Sequence, residues 1–223
     1  MNYVFANAKG GVGKSTLAAT LAVYLFDLGR RVCLVDTDKQ QHSARSVSEA
    51  EPSIKIETLF DANEIPSRLR NLAKEYDDLV ADAPARLDDE ARALMVMADV
   101  LIIPMEPTIK SLRSTKSTLK VLEFARSITN GRPASAWLVF NKVKTNTRIF
   151  REIKSLAPKL GISVAQNAVR ELQSFPEADQ QGTVVTRLLP ATANRKAMSD
   201  IQNLFSEIVP SNPTKRALAG GTE

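Results

Sequence analysis

The chain is poor in the residues that several kinds of chemistry require. Its 223 residues include one cysteine, one histidine and one tryptophan. A single cysteine excludes a disulfide framework and any cysteine-based zinc site. Cys33, inside the apolar run Val32-Cys33-Leu34-Val35, reads as a buried structural thiol. No apolar stretch approaches the roughly 20 residues that span a bilayer. The start, Met1-Asn2-Tyr3-Val4-Phe5, enters a strand-like run with no basic leader, so neither a signal peptide nor membrane insertion is expected and a cytoplasmic location is. There is no internal repeat and no low-complexity tract. With 43% hydrophobic residues, the chain has enough apolar material for one compact domain.

What is present is an alternation of short apolar runs with amphipathic ones. Strands are predicted at Tyr3–Ala6, Arg31–Val35, Ile54–Leu59, Leu79–Ala81, Val100–Pro104 and Ser135–Phe140. Helices are predicted at 15–28, 66–76, 110–127, 146–157 and 195–208, with further elements near 162–169 and 172–179. The first helix carries Leu17, Leu21, Leu25 and Leu28 on one stripe and stops at Gly29. This order predicts an α/β fold with a mostly parallel twisted sheet and helices on both faces. The domain is expected to fill residues 1–209. The stretch 210–223, rich in Pro, Gly, Thr and Ala, is expected to be a disordered tail.

The strongest local signal is Ala8-Lys9-Gly10-Gly11-Val12-Gly13-Lys14-Ser15-Thr16, which follows a strand and opens a helix. The glycines permit backbone conformations closed to other residues and a close approach to phosphates. Their N–H groups, with the positive end of the following helix, make an anion nest. Lys14 is placed to reach β- and γ-phosphate oxygens, and the Ser15 hydroxyl to ligate Mg²⁺. Two strands end in carboxylates: Asp36-Thr37-Asp38-Lys39-Gln40-Gln41 and Asp82-Ala83-Pro84-Ala85. The second is the Walker B arrangement, in which an aspartate holds the water shell of Mg²⁺.

The general Walker pattern has Gly where this chain has Ala8, and a second lysine, Lys9, precedes the glycine pair. This variant resembles the deviant Walker A motif of the ParA/MinD family of ATPases, and the resemblance covers roughly residues 1–209. It implies a P-loop ATPase that binds ATP and Mg²⁺ through Lys9, Gly10, Gly11, Val12, Gly13, Lys14, Ser15 and Thr16. It also implies an ATP-sandwich homodimer in which Lys9 reaches the partner's nucleotide. The segment from Asp36 resembles the family's D-x-D-P-Q switch, so Asp38 is expected to position the attacking water and Asp36 to join Asp82 around the Mg²⁺ water shell. Lys39 stands where the family usually has proline. His42 reads as an exposed loop residue, since the family uses no histidine there. Asn141 stands where the family contacts adenine; a cap on the next helix is the other reading.

Charge is distributed unevenly. Residues 1–109 carry 12 Lys+Arg against 17 Asp+Glu, and residues 110–223 carry 18 against 8. A basic half predicts a polyanionic partner, most often nucleic acid. Aromatic residues are scarce among these cations, which favours duplex backbone contacts over base stacking. By resemblance, nonspecific duplex DNA is bound through C-terminal basic residues, here Arg170, Arg187, Arg195 and Lys196. The family further implies a ParB-like adaptor that stimulates hydrolysis and a place on the nucleoid. Because the chain starts at its first strand, no N-terminal helix-turn-helix domain is expected. The runner-up is a MinD-like membrane-cycling ATPase, but residues 198–209 carry acids and no bases, unlike a basic amphipathic anchor. A small-molecule ATP-dependent enzyme on the same scaffold is the third reading.

Overall fold

A computed structural model describes residues 1–39, 42–189 and 193–210. Gln40, Gln41, residues 190–192, all but Pro210 of the tail expected over 210–223, and the side chain of His42 lie outside that description. The sheet has seven strands, all parallel: β1 (Asn2–Phe5), β2 (Val32–Asp36), β3 (Lys55–Thr58), β4 (Asp78–Asp82), β5 (Val100–Met105), β6 (Ser135–Phe140) and β7 (Ser163–Val164). Their spatial order is β3-β2-β4-β1-β5-β6-β7. The central strands β1, β2, β4 and β5 are buried throughout. Helices cover them on both sides, which is why their sequences read as continuous apolar runs rather than alternating ones.

Among the described residues the helices are α1 (Lys14–Asp27), α2 (His42–Ala50), α3 (Ile65–Glu75), α4 (Asp89–Met97), α5 (Ile109–Ile128), α6 (Arg148–Leu156), α7 (Ser174–Gln180) and α8 (Arg195–Ile208). One core cluster joins α1 and α8 to one face of the sheet through Leu17, Leu21, Leu25, Ile201, Leu204 and Phe205. The other face is closed by α3, α4, α5 and α6 through Leu69, Leu94, Leu122 and Ile153. The apolar stripe of α1 ends one turn earlier than expected: Leu28 is 53% exposed. Gly29 does stop the helix, at φ +76°.

Two helices, α2 and α4, are absent from the sequence-based expectation, and His42 opens a helix rather than lying in a loop. The α2 sequence, His42-Ser43-Ala44-Arg45-Ser46-Val47-Ser48-Glu49-Ala50, is serine-rich and a weak helix former. Its first turn is held from outside, because Asp36 accepts hydrogen bonds from the Ser43 hydroxyl and the Ala44 N–H.

The chain places β4 between β2 and β1, then moves to the other side of β1 for β5. The carboxyl end of β1 therefore sits where the strand order reverses, the place at which open parallel sheets bind ligands.

Candidate functional site

The loop between β1 and α1 is anchored from behind. Asn7 is fully buried; its amide donates to the Pro104 carbonyl at 2.7 Å and its carbonyl oxygen accepts from the Lys9 N–H. The Ala8 N–H donates to the Thr118 hydroxyl of α5 at 3.1 Å. Gly11 and Gly13 have φ of +74° and +93°. A Cβ added at Gly13 would lie 2.1 Å from the Asn141 side-chain nitrogen, so both torsion and space require glycine there. Helix α1 then starts at Lys14 with no side-chain cap. Its first N–H groups have no partner within the helix and, with the helix dipole, favour an anion. They face a cavity of about 350 Å³ whose lining includes Gly11, Gly13, Lys14, Ser15, Asp38 and Lys142.

Register puts Asp36 and Asp82 side by side at the ends of β2 and β4. Asp82 is fully buried and neither carboxylate oxygen has a hydrogen-bond partner among the described residues. Burial raises its pKa to about 7 and neighbouring Asp36 adds to this; the nearby Ser15 and Ser43 hydroxyls and Lys14 oppose it without completing a hydrogen bond. Lys14 is buried, and loss of hydration lowers its pKa despite the pull of Asp82 and Asp38.

The carboxylate of Asp36 is occupied. It accepts from the Asp38 N–H at 3.0 Å, the Ser43 hydroxyl at 2.8 Å and the Ala44 N–H at 2.9 Å. Three of its roughly four acceptor directions are thereby filled. In this structure it holds the Asp38 loop and the first turn of α2 in place.

An orphaned buried carboxylate costs free energy unless something cationic completes it. Asp82, beside a buried ammonium, the Ser15 hydroxyl and a nest of backbone N–H groups, fits a divalent cation carried with a polyphosphate. The donor set is all oxygen, which suits Mg²⁺.

Lys9 does not point into this cavity's lining. Its ammonium is paired with the Glu106 carboxylate and donates to the Ser111 hydroxyl of α5 at 3.0 Å. Lys142, which sequence reasoning missed, donates to the Gly11 carbonyl at 2.6 Å and stands 3.7 Å from Glu106. Its backbone φ is +55°, an uncommon conformation for a side chain of this size that carries its ammonium over the loop. The signal available beforehand was its position directly after Asn141. Asn141 donates to the Val12 carbonyl at 2.8 Å and borders a second cavity of about 560 Å³ with Gly13, Arg170, Phe175 and Pro176. It does not cap α6; Thr147 does.

The four C-terminal cations separate into two kinds. Arg170 forms a fork with Asp200 at 2.7–3.1 Å, and Arg187 pairs with Asp27 and Glu51. Arg195 and Lys196 are exposed in the first turn of α8.

A parallel sheet with a phosphate loop at its reversal point, two strand-end aspartates and a buried lysine defines a P-loop nucleotide-binding protein. The family model for the CobQ/CobB/MinD/ParA nucleotide binding domain matches residues 3–185, and the chain belongs to that family. Maintenance of carboxysome distribution protein A of Halothiobacillus neapolitanus is 30% identical over 210 residues, covering 92% of this chain and 95% of that protein. The chromosome-partitioning ATPase Soj of Thermus thermophilus is 24% identical, covering 86% of this chain and 90% of its own. A putative plasmid partition protein from Borrelia burgdorferi, solved with AMPPNP, superposes with a TM-score of 0.72 at 18% identity over 92% of this chain and 96% of its own, a likeness of fold.

Proposed function

We propose that the chain is a ParA-type ATPase that positions or partitions a cargo: it binds Mg²⁺–ATP, pairs with a second copy and holds nonspecific duplex DNA until a ParB-like adaptor triggers hydrolysis. The observation that carries this reading is the glycine-turned loop bearing two lysines, one buried and within the electrostatic pull of Asp82, the other turned away onto Glu106. Relatives named for carboxysome distribution and for chromosome partitioning, matched over most of their length, support the positioning role.

Hydrolysis on such a site is mostly positioning and charge neutralisation. Mg²⁺ when bound neutralises developing phosphate charge. The loop N–H groups and Lys14 hold the phosphates. Ser15 would hold the cation directly, and Asp82 and Asp36 would hold it through its water shell. Asp38, on the cavity wall, orients the attacking water. Asn141 and the Arg170–Pro176 stretch border the space for the base. Lys9 serves the partner's nucleotide, so it must first leave Glu106 and Ser111. In this reading the domain spans 1–209 and the protein works on the nucleoid. Among the described residues no helix is long and apolar enough to cross a membrane.

The test is ATP turnover measured alone, with duplex DNA, with the product of the neighbouring gene, and with both. The expected result is slow basal turnover raised by the two together. Turnover driven by a metabolite, indifferent to DNA and protein, would favour a small-molecule enzyme and overturn the reading.

A further inference from the structure

The charge asymmetry of the chain can be placed more narrowly than its two halves. Residues 110–160 carry 12 Lys+Arg and 2 Asp+Glu, whereas residues 161–223 carry 6 of each. The entire basic surplus of the second half therefore lies on α5, β6, α6 and their connections. The C-terminal cations belong to a stretch with no net charge, and Arg170 and Arg187 are spent on Asp200 and on Asp27 with Glu51.

Within the basic stretch, α5 has two faces. Ser111, Thr115 and Thr118 are buried, and two of them meet the phosphate loop: Ser111 accepts from Lys9 and Thr118 from the Ala8 N–H. On the opposite side Lys110, Arg113, Lys116 and Lys120 are exposed and have no ion pair among the described residues. Arg113 and Lys120 are about 10 Å apart along the helix axis. Helix α6 packs on the same side of the sheet, its Phe150 and Ile153 sharing a core with Leu119 and Leu122 of α5. It adds exposed Arg151 and Lys154.

We infer that the exposed face of α5, with Arg113, Lys116 and Lys120 at its centre and α6 beside it, is the surface that holds the phosphate backbone of duplex DNA. Exposed cations with no ion pair among the described residues, Arg113, Lys116 and Lys120 on α5 with Arg151 and Lys154 (over the Phe150 ring) on α6, suit an extended polyanion with a charge every 1.7 Å of axis better than a short acidic peptide. Contacts of this kind read no sequence. The same helix touches the phosphate loop through Ser111 and Thr118, so a change of nucleotide has a direct structural path to the DNA surface. The inference rests on the DNA-binding part of the proposed function.

The experiment titrates full-length protein, loaded with ATP and Mg²⁺, onto a random-sequence 24-base-pair duplex over a salt series. Three variants are compared: Arg113→Ala/Lys116→Ala/Lys120→Ala, the charge-keeping Arg113→Lys/Lys116→Arg/Lys120→Arg, and Arg195→Ala/Lys196→Ala. Loss of three phosphate contacts flattens the log–log salt slope by about 2–3 and weakens binding on the order of 100-fold at 0.1 M salt. The alanine variant should show both effects with ATP affinity unchanged, and the other two variants neither. An alanine variant that keeps the wild-type slope and affinity while Arg195→Ala/Lys196→Ala loses them overturns the inference and leaves the proposed function standing. An alanine variant that keeps the wild-type slope and affinity overturns it whatever Arg195→Ala/Lys196→Ala does, and so does wild-type capture of polyglutamate in preference to duplex DNA. Wild-type protein with no DNA affinity even at low salt overturns the DNA-binding reading itself.

Discussion

Replacing Asp82 with asparagine removes a buried carboxyl group that, in the chain without nucleotide, has no hydrogen-bond partner among the described residues. Its folded-state pKa is about 7 against an unfolded value of 3.8. A raised carboxyl pKa means that the folded state binds the proton more tightly. Below about pH 3 the group is protonated in both states and costs nothing extra. As pH rises through the window between the two values, the unfolded chain ionises first and folding is progressively penalised. Above pH 7 the penalty is complete, about 4 kcal/mol for a shift of this size at 1.36 kcal/mol per unit. Asparagine has no such titration, although it brings a polar amide of its own into the same space. The difference in unfolding free energy between wild type and Asp82→Asn should therefore move in the variant's favour by about 3 kcal/mol from pH 4.5 to pH 8, the first part of the penalty being already present at pH 4.5. Denaturant titrations in EDTA measure it. With Mg²⁺–ATP the order should reverse, because wild type gains binding free energy that the variant has lost. A pH-independent difference, or Mg²⁺-dependent ATP affinity equal to wild type, would refute the reasoning that Asp82 is held ready for a cation.

Asp38→Ala should keep ATP affinity within a few fold and lose hydrolysis, read by equilibrium binding beside a phosphate-release assay; hydrolysis at the wild-type rate would remove Asp38 from the water-positioning role. Glu106→Gln weakens the pair that holds Lys9 in its own subunit, so ATP-dependent dimers should appear at lower protein concentration in sedimentation velocity. Unchanged dimerisation would mean that the pair restrains nothing. Gly13→Ala places a methyl group 2.1 Å from the Asn141 nitrogen at φ +93°, costing roughly 1–2 kcal/mol of torsional strain beyond the clash. Thermal unfolding and ATP affinity should both suffer, and adding Asn141→Ala should recover part of the loss; a neutral Gly13→Ala would contradict the packing described.

The sheet was legible because β1, β2, β4 and β5 are buried on both faces and so carry unbroken apolar runs. Helix α8, expected over 195–208, runs from Arg195 to Ile208, and the structure shows Asn194 capping it. Helix α2 was hidden because its first turn is held by Asp36 from another element rather than by its own sequence. Helix α4 does carry a signal that was passed over: Asp88-Asp89-Glu90 at its amino end ahead of buried Ala91, Leu94 and Met95. In the site, the glycines and lysines of the loop announce themselves by spacing. The pairing of Lys9 with Glu106 spans 97 positions, and the positive φ that aims Lys142 has no side-chain signature, so neither can be read locally. The engagement of Arg170 by Asp200 likewise joins residues 30 apart, which is why a basic residue in sequence was not a free cation in space.

The central claim is that the loop from Lys9 to Thr16 grips a triphosphate with Lys14 and a cation near Asp82. Isothermal titration of the purified chain with ATP, in Mg²⁺ and in EDTA, beside Lys14→Ala, tests it most directly. Saturable binding that needs Mg²⁺ and disappears in Lys14→Ala is the predicted result; an absence of binding in wild type, or equal affinity in the variant, would contradict it.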